Sequence, residues 1–284
     1  MDTLRQHQMV MLELLKELDQ ICHKHNITYC LFAGSALGAA LYKGFIPWDD
    51  DLDVAMLRSD YEKFLKIAPA ELSEQYYLQA EFSEHWPMNF SKLRKNNTTC
   101  LEKYHPKNRQ THQGIYIDIL PIDNATESEI GRKWQFYASR VVLAKALFRR
   151  GYDTNQKRKK IFMLFCRLLP IKPFLKMTMK KKRTDSKYVH AYLGGSSNFK
   201  KGVYLRKWIS ETIPMEFEGI QVPVSAHYHE MLTRMYGDYV TNLPSEEERI
   251  IKKHAILVDT KRNYTEYENY RDGMTFDVHT RSIR

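Results

Sequence analysis

Ile46-Pro47-Trp48-Asp49-Asp50-Asp51-Leu52-Asp53-Val54 is the densest chemical feature of this 284-residue sequence. Four carboxylates within five residues repel one another, so a cation must offset the repulsion if they converge. On a strand, Asp49, Asp51 and Asp53 project from one face, because side chains repeat every two residues. Phe45, Ile46, Trp48, Leu52, Val54 and Met56 flank the run and would bury it at a sheet edge, which argues against an acidic solvated loop. Oxygen ligands of this kind suit Mg²⁺ or Mn²⁺, which bind one or two carboxylates plus substrate phosphates. A calcium loop starting at Asp49 fails, since its sixth position is Val54 where glycine is needed and its twelfth is Asp60 rather than glutamate.

Upstream of the run, Thr28–Phe32 reads as a buried strand, Ala33-Gly34-Ser35 as a turn, and Ser35–Tyr42 as a short helix of small residues. A strand, Gly-Ser and a helix N-terminus build a phosphate cradle, because backbone N–H groups point at the anion and glycine lets the chain come close. Pro47 forces a loop after Gly44. Leu52–Met56 is a second strand and Asp60–Ile67 a helix, while Leu4–Cys22 carries apolar residues at helical spacing. Downstream strands are expected at Tyr76–Gln79, Met88–Arg94 and Ile115–Leu120, the last closed by Pro121. Asp118 lies mid-strand between Ile117 and Ile119, where burial is costly unless the carboxylate is paired or binds metal. It is the candidate third metal ligand, with a structural ion pair as the alternative. Beyond residue 126 the pattern is mostly helical to about Arg183; a hairpin follows at Phe217–Ile220, then a helix over Ser225–Tyr236 that Gly237 ends. The layout is α+β with a helical, basic second half.

The formal net charge is +10, yet the surplus is local. No acidic residue falls between Asp153 and Asp185, while that stretch holds eleven cations; without them 33 basic residues face 34 acidic ones. A nucleic-acid-binding surface over the whole protein is therefore not expected. Cys22, Cys30, Cys100 and Cys166 are scattered without a CxxC pair, which fits reduced thiols better than a disulfide framework or a zinc knuckle. The N-terminus Met1–His7 lacks an apolar run with a cleavage site, and no stretch reaches the length of a membrane span, so a cytoplasmic protein is expected.

Ala33-Gly34-Ser35-Ala36-Leu37-Gly38 followed by Lys43-Gly44-Phe45-Ile46-Pro47-Trp48-Asp49-Asp50-Asp51-Leu52-Asp53 resembles the signature of the LicD family, phosphotransferases on the nucleotidyltransferase fold related to the fukutin group. The resemblance continues through Lys92-Leu93-Arg94 with Thr98, through Gly114–Asp123, and ends with Tyr236-Gly237-Asp238-Tyr239, Pro244 and His254. It implies a mixed sheet flanked by helices, with a catalytic core at 1–125 and a C-terminal region at 126–284 that brings substrate-contacting elements near 236–254. The implied reaction is transfer of a phospho-alcohol, phosphocholine first, from a CDP-activated donor such as CDP-choline to a sugar hydroxyl of a lipid-linked cell-surface glycan. Gly34, Ser35 and Gly38 would hold donor phosphates, and Asp51, Asp53 and Asp118 would hold Mg²⁺ with Asp49 nearby and perform the catalysis. Where the family commonly has arginine this sequence has Leu41, so a phosphate contact is missing or Lys43 supplies it. Lys92 and Arg94 alternate with Leu93 and so share a strand face toward the diphosphate, with a solvated surface role equally open for Arg94. Arg94, Thr98 and His254 are implied substrate contacts, and Trp48, Trp86 and Tyr116 are candidates for an aromatic box around a quaternary ammonium.

Rival readings keep the fold but change the transfer, to nucleotidylation of a small molecule or to delivery of ribitol or glycerol phosphate. A glycosyltransferase using Asp51-Leu52-Asp53 is disfavoured by the early Gly-Ser turn, and a purely membrane- or nucleic-acid-binding protein leaves the carboxylates unexplained. The basic segment 157–183 surrounds an apolar run, Ile161–Leu169, too short to span a bilayer; it reads either as an interfacial element on an anionic inner leaflet or as a buried helix with solvated ends.

Overall fold

The computed structural model describes residues 3–102, 111–152, 154, 156–179, 186–194, 198–241, 245 and 253–267, with backbone at 276–277 and 282–283. Lys180–Arg183, Pro244 and the segment 246–251 lie outside the described residues. The chain runs through α1 (Thr3–Lys24), β1 (Cys30–Leu31), α2 (Ala33–Tyr42), β2 (Asp53–Leu57), α3 (Arg58–Glu71), β3 (Tyr76–Gln79), β4 (Ser91–Lys95), β5 (Thr99–Glu102) and β6 (Tyr116–Asn124). It continues through α4 (Glu129–Arg150), α5 (Lys157–Leu168), α6 (Ile171–Met179), β7 (Tyr188–His190), β8 (Val203–Leu205), α7 (Lys207–Ser210), β9 (Thr212–Phe217), β10 (Ile220–Ser225), α8 (Tyr228–Tyr236) and β11 (Ala255–Asp259). Among these, a mixed sheet has the order β3-β4-β6-β2-β1-β10-β9, and β7 and β8 extend it from the far end of β6. β2 and β6 run parallel, as do β1 and β10, while the remaining pairs are antiparallel. This is an α+β architecture, a mixed sheet flanked by helices.

Apolar periodicity explains the layers. Met11, Leu14, Leu15 and Leu18 of α1 and Tyr61 and Phe64 of α3 are fully buried, recurring every three to four residues along each helix. They join Val54, Ala55 and Met56 of β2 and Ile117 and Ile119 of β6 in one core. The hairpin between β9 and β10 has the expected two-residue turn, with Glu218 and Gly219 both in the left-handed region (φ 51° and 77°) and Phe217 paired to Ile220. α8 ends at Gly237, whose N–H donates to the Thr233 carbonyl.

Several expected bounds change: β1 is confined to Cys30–Leu31 within Thr28–Phe32, β4 is Ser91–Lys95 rather than Met88–Arg94, and α8 starts at Tyr228 rather than Ser225. β6 does not stop at Pro121 but runs through it to Asn124. The Asp118 N–H donates to the Leu52 carbonyl, so even positions of β6 donate toward β2 and odd ones toward β4. Pairing with β4 ends at Ile119, so the N–H that Pro121 lacks has no ladder partner to lose. β2 begins at Asp53 rather than Leu52, whose carbonyl still joins the ladder, leaving Asp49–Asp51 outside it. The cause is its neighbour: β1 is two residues long, Phe32 donates to the Asp53 carbonyl, and the chain then turns into α2. Asp49 and Asp51 are thus placed by a loop and not by strand alternation.

Candidate active site

The site is built at the ends of β2 and β6, where Asp53 and Asp118 stand opposite each other in parallel register. Side chains at matched positions of parallel strands share a face, so the two carboxylates lie side by side. Lys92 of β4 pairs with Asp118 from the other side of β6, and its Nζ lies 3.0 Å from Asp118 Oδ1. The loop before β2 brings in Asp49 and Asp51, which share a hydrogen bond. His254 approaches from the distant C-terminal segment, with Nε2 3.2 Å from Asp51 Oδ2.

Asp50 faces the other way and anchors that segment. Its carboxylate accepts the backbone N–H groups of His254 (3.0 and 2.9 Å) and Ala255 (2.8 Å), tying the loop to the start of β11. The loop therefore gives Asp50 a structural role and leaves Asp49 and Asp51 facing the site. Ser35 Oγ accepts the Asp53 N–H at 2.8 Å, so the α2 entry is latched to β2. A side chain at Gly34 would come within 3.0 Å of Asp49 Oδ2, which puts the α2 N-terminus directly against the acidic cluster. Ala33, immediately before it, sits at φ 46°, a left-handed conformation that costs alanine about 1 kcal/mol and marks a constrained strand-to-helix turn.

The electrostatics follow from crowding. Burial, then the charges of Asp51 and Asp50, push Asp49 up to about 8. Asp53 is held well above the carboxylate range by burial, then by Asp51, Asp118 and Asp49. Asp118 is also raised, mainly by burial, with Lys92 opposing. Burial would raise Asp51 too, but hydrogen bonding and attraction from His254, with Asp49 and Lys92, carry it below its ordinary value. His254 rises to about 9, chiefly through its hydrogen bond to Asp51. The carboxylates outnumber the cations that face them, and the donors are all hard oxygens, which matches Mg²⁺ or Mn²⁺ in chemistry. Among the described residues, no group of three or more His, Cys, Asp or Glu side chains is already drawn together as a metal cage.

Not all sequence candidates converge here. Arg94 is buried and donates to Gln79 Oε1 (2.8 Å) and the Gly114 carbonyl (2.7 Å), which holds strands together. Thr98 Oγ1 donates to the Lys95 carbonyl and accepts the Ile115 N–H, bracing the β4–β5 connection. Lys43 is exposed and pairs with Glu216 of β9 at 3.1 Å. Gly38 is required by packing, since a Cβ there would stand 2.4 Å from the Gly44 carbonyl. Of the box aromatics, Trp48 packs edge-on to Tyr42, while Tyr116 and Trp86 present their faces to Lys92 Nζ at 3.1 and 5.3 Å. The chain's own ammonium thus fills that cage.

One residue escaped the sequence reading, and another was quoted there without a role of its own. Glu102 of β5 is driven down to about 2 despite its burial, by Lys92, Arg150 and Arg94, and accepts the Tyr116 hydroxyl at 2.9 Å. Its sequence neighbourhood carries no motif, and only the folding of β5 beside β11 brings it in. Tyr236 belongs to the quoted Tyr-Gly-Asp-Tyr block, but its place is tertiary: with Phe32, Asp53, Lys201 and Tyr204 it lines an open pocket of about 300 Å³.

Residues 26–162, which contain α2, β2, Lys92 and β6, match the family described as LicD/FKTN/FKRP, nucleotidyltransferase domain. The chain is 28% identical over 260 residues to the lipopolysaccharide cholinephosphotransferase LicD of Haemophilus influenzae, covering 89% of this chain and 96% of that one. It is 27% identical over 115 residues, 40% of each chain, to an uncharacterised protein of Rickettsia prowazekii. A shorter match, 39% over 57 residues, links it to an uncharacterised Rickettsia typhi protein, covering 20% of this chain and 18% of that one. The matched span holds the Gly34-Ser35 helix entry, Asp53 and Asp118, and over it the chain is similar to the LicD family.

Proposed function

We propose that this protein transfers phosphocholine from CDP-choline, or a related phospho-alcohol from its CDP donor, to a sugar hydroxyl of a lipid-linked glycan of the lipopolysaccharide type. The observation that carries the reading is the Asp53–Asp118 register pair, flanked by Asp49, Asp51 and Lys92 and faced by the N-terminus of α2. Likeness to the Haemophilus influenzae cholinephosphotransferase over nearly both full lengths favours choline phosphate. Residues 1–125 form the proposed catalytic core, to which the second half adds Tyr236 and His254.

In the proposed reaction the sugar oxygen forms a bond to the phosphorus that bears the alcohol, the bond from that phosphorus to the bridging oxygen breaks, and CMP leaves. Asp118, its proton affinity raised by burial and its position fixed by Lys92, accepts the hydroxyl proton. The backbone at Gly34 and Ser35 receives donor phosphate, with Lys92 adding positive charge from β4. Asp49, Asp51, Asp53 and Asp118 would hold Mg²⁺ or Mn²⁺, which supplies charge neutralisation at the diphosphate when bound. His254 holds Asp51 in place until then. Peripheral association with the inner face of a membrane, where a lipid-linked acceptor is presented, completes the reading; among the described residues no helix is long and apolar enough to cross one.

Incubating the protein with a panel of CDP-alcohols and Mg²⁺, with and without a lipid-linked glycan, tests the proposal. CMP release that requires CDP-choline, glycan and metal supports it. Release of pyrophosphate from a nucleoside triphosphate would instead assign nucleotidylation, and preference for CDP-ribitol or CDP-glycerol would move the substrate.

A further inference from the structure

α5 is attached to the protein by its less apolar side. Met163 and Cys166 are buried against Val141, Ala144, Leu147 and Phe148 of α4, and Lys145 Nζ caps the helix by donating to the carbonyls of Arg167 and Leu169. Ile161, Leu164, Phe165 and Leu168, spaced on one helical face, point outward instead. Leu168 is 81% exposed, Ile161 66% and Phe165 59%, and Phe162 beside them is exposed as well. A helix packed only for stability would bury these four and expose the thiol. A contiguous apolar face of this size on a surface marks an interaction site.

The charges around it select the occupant. From Lys157 to Met179 there is no acidic residue, and Lys157, Arg158, Lys160, Arg167, Lys172 and Lys176 are all exposed on α5 and α6. A second copy of the chain would bring two such cationic rims together. A nucleic acid would meet the cations but leave the phenyl and leucyl side chains without a partner. An anionic bilayer satisfies both parts: phosphate headgroups pair with the rim while the apolar face enters the headgroup–acyl boundary. At about 1.5 Å per residue, the 12-residue helix is about 18 Å long, too short to cross and long enough to lie in the interface.

We infer that the outward face of α5, with its cationic rim, is the element that docks the protein on anionic lipid, lying in the plane of the interface. The inference deepens the peripheral association proposed above and rests on it, but not on the transfer chemistry. It also places the anchor outside the carboxylate site, so docking and catalysis can be separated.

The test is sedimentation of the full chain, without donor or acceptor, with vesicles of phosphatidylcholine alone and of phosphatidylcholine with phosphatidylglycerol at 7:3. The anionic vesicles should bind at least tenfold more protein, and 0.5 M salt should release most of it. Phe165→Asp with Leu168→Asp should lower binding at least tenfold while turnover on a soluble acceptor is unchanged. Phe165→Trp should show a blue-shifted emission with anionic vesicles only, which reports insertion even if the double variant folds poorly. Wild-type protein that binds neither vesicle overturns peripheral association altogether. Wild-type binding that both variants share, with no shift in Trp emission, overturns the α5 assignment alone. A dimer in solution that the double variant dissociates gives the face to a second copy and overturns the lipid assignment.

Discussion

Asp53 of β2 and Asp118 of β6 are register partners in a parallel pair, so two half-buried carboxylates share one sheet face, with Lys92 of the third strand salt-bridged to Asp118. Nothing in the hydrophobic core requires this arrangement, and the mutual repulsion it creates works against folding. The two residues stand 65 positions apart in the chain, and their hard-oxygen donors suit the cation and phosphate site proposed above.

Asp53→Asn should therefore separate function from stability. Loss of one repelling charge should raise the thermal midpoint at pH 7, because a carboxyl whose folded-state proton affinity is raised destabilises the fold above its ordinary pKa. Turnover should fall by about 100-fold or more through loss of charge placement at the phosphates. Calorimetry and CMP release measure the two effects; retained turnover would remove Asp53 from the site.

The His254–Asp51 pair should titrate in a defined window. His254 is raised to about 9, so the stability it contributes is complete below its ordinary 6.5 and is lost as pH climbs through about 9. Asp51 is depressed, so its share is present above the ordinary carboxylate value and is lost only in stronger acid. NMR of the imidazole should give a midpoint near 9, and Asp51→Asn should bring it down toward 6.5. Added Mg²⁺ should lower it as well, since a metal held by Asp51 competes for the carboxylate; an Mg²⁺-insensitive midpoint speaks against Asp51 as a ligand.

Gly34 and Gly38 should fail differently. Gly38→Ala drives a Cβ against the Gly44 carbonyl and should cost about 1–3 kcal/mol of stability, read by urea unfolding. Gly34→Val meets the Asp49 carboxylate and should weaken donor binding in a folded protein, read by calorimetric titration with CDP-choline. Unchanged donor affinity would take the α2 entry out of the phosphate site.

Glu102→Gln should destabilise the protein by about 3 kcal/mol, because Lys92 and Arg150 would lose the carboxylate that neutralises them in a buried setting. Lys92 would then be redistributed toward Asp118. Turnover should shift its acid limb, since the proton affinity of Asp118 depends on how Lys92 is shared. A pH profile identical to wild type would confine Glu102 to a structural role.

Much of this was legible in the linear sequence. Apolar residues every three or four positions placed α1 and α3, and Tyr76–Gln79 matched β3 without adjustment. Glu218-Gly219 announced a two-residue hairpin because glycine accepts positive φ there. Pro121 misled, since its cost depends on which neighbour its missing N–H would face, and that is a property of the sheet.

The sequence by itself determined the ingredients of the site: the Asp49–Asp53 run, the Gly34-Ser35 helix entry, Asp118 between isoleucines, and the acid-free stretch around α5. Local rules reach these because helix and strand periods, turn chemistry and charge density act over a few residues. Only the tertiary structure decided how they were used. It opposed Asp53 to Asp118, turned Asp50 away to anchor β11, spent Arg94 on the Gln79 amide oxygen and the Gly114 carbonyl, and closed the Trp86–Tyr116 cage around Lys92. It also left the apolar face of α5 outward. Register, burial and ion pairing between distant segments depend on which strands become neighbours, and that choice belongs to the packing of the whole chain.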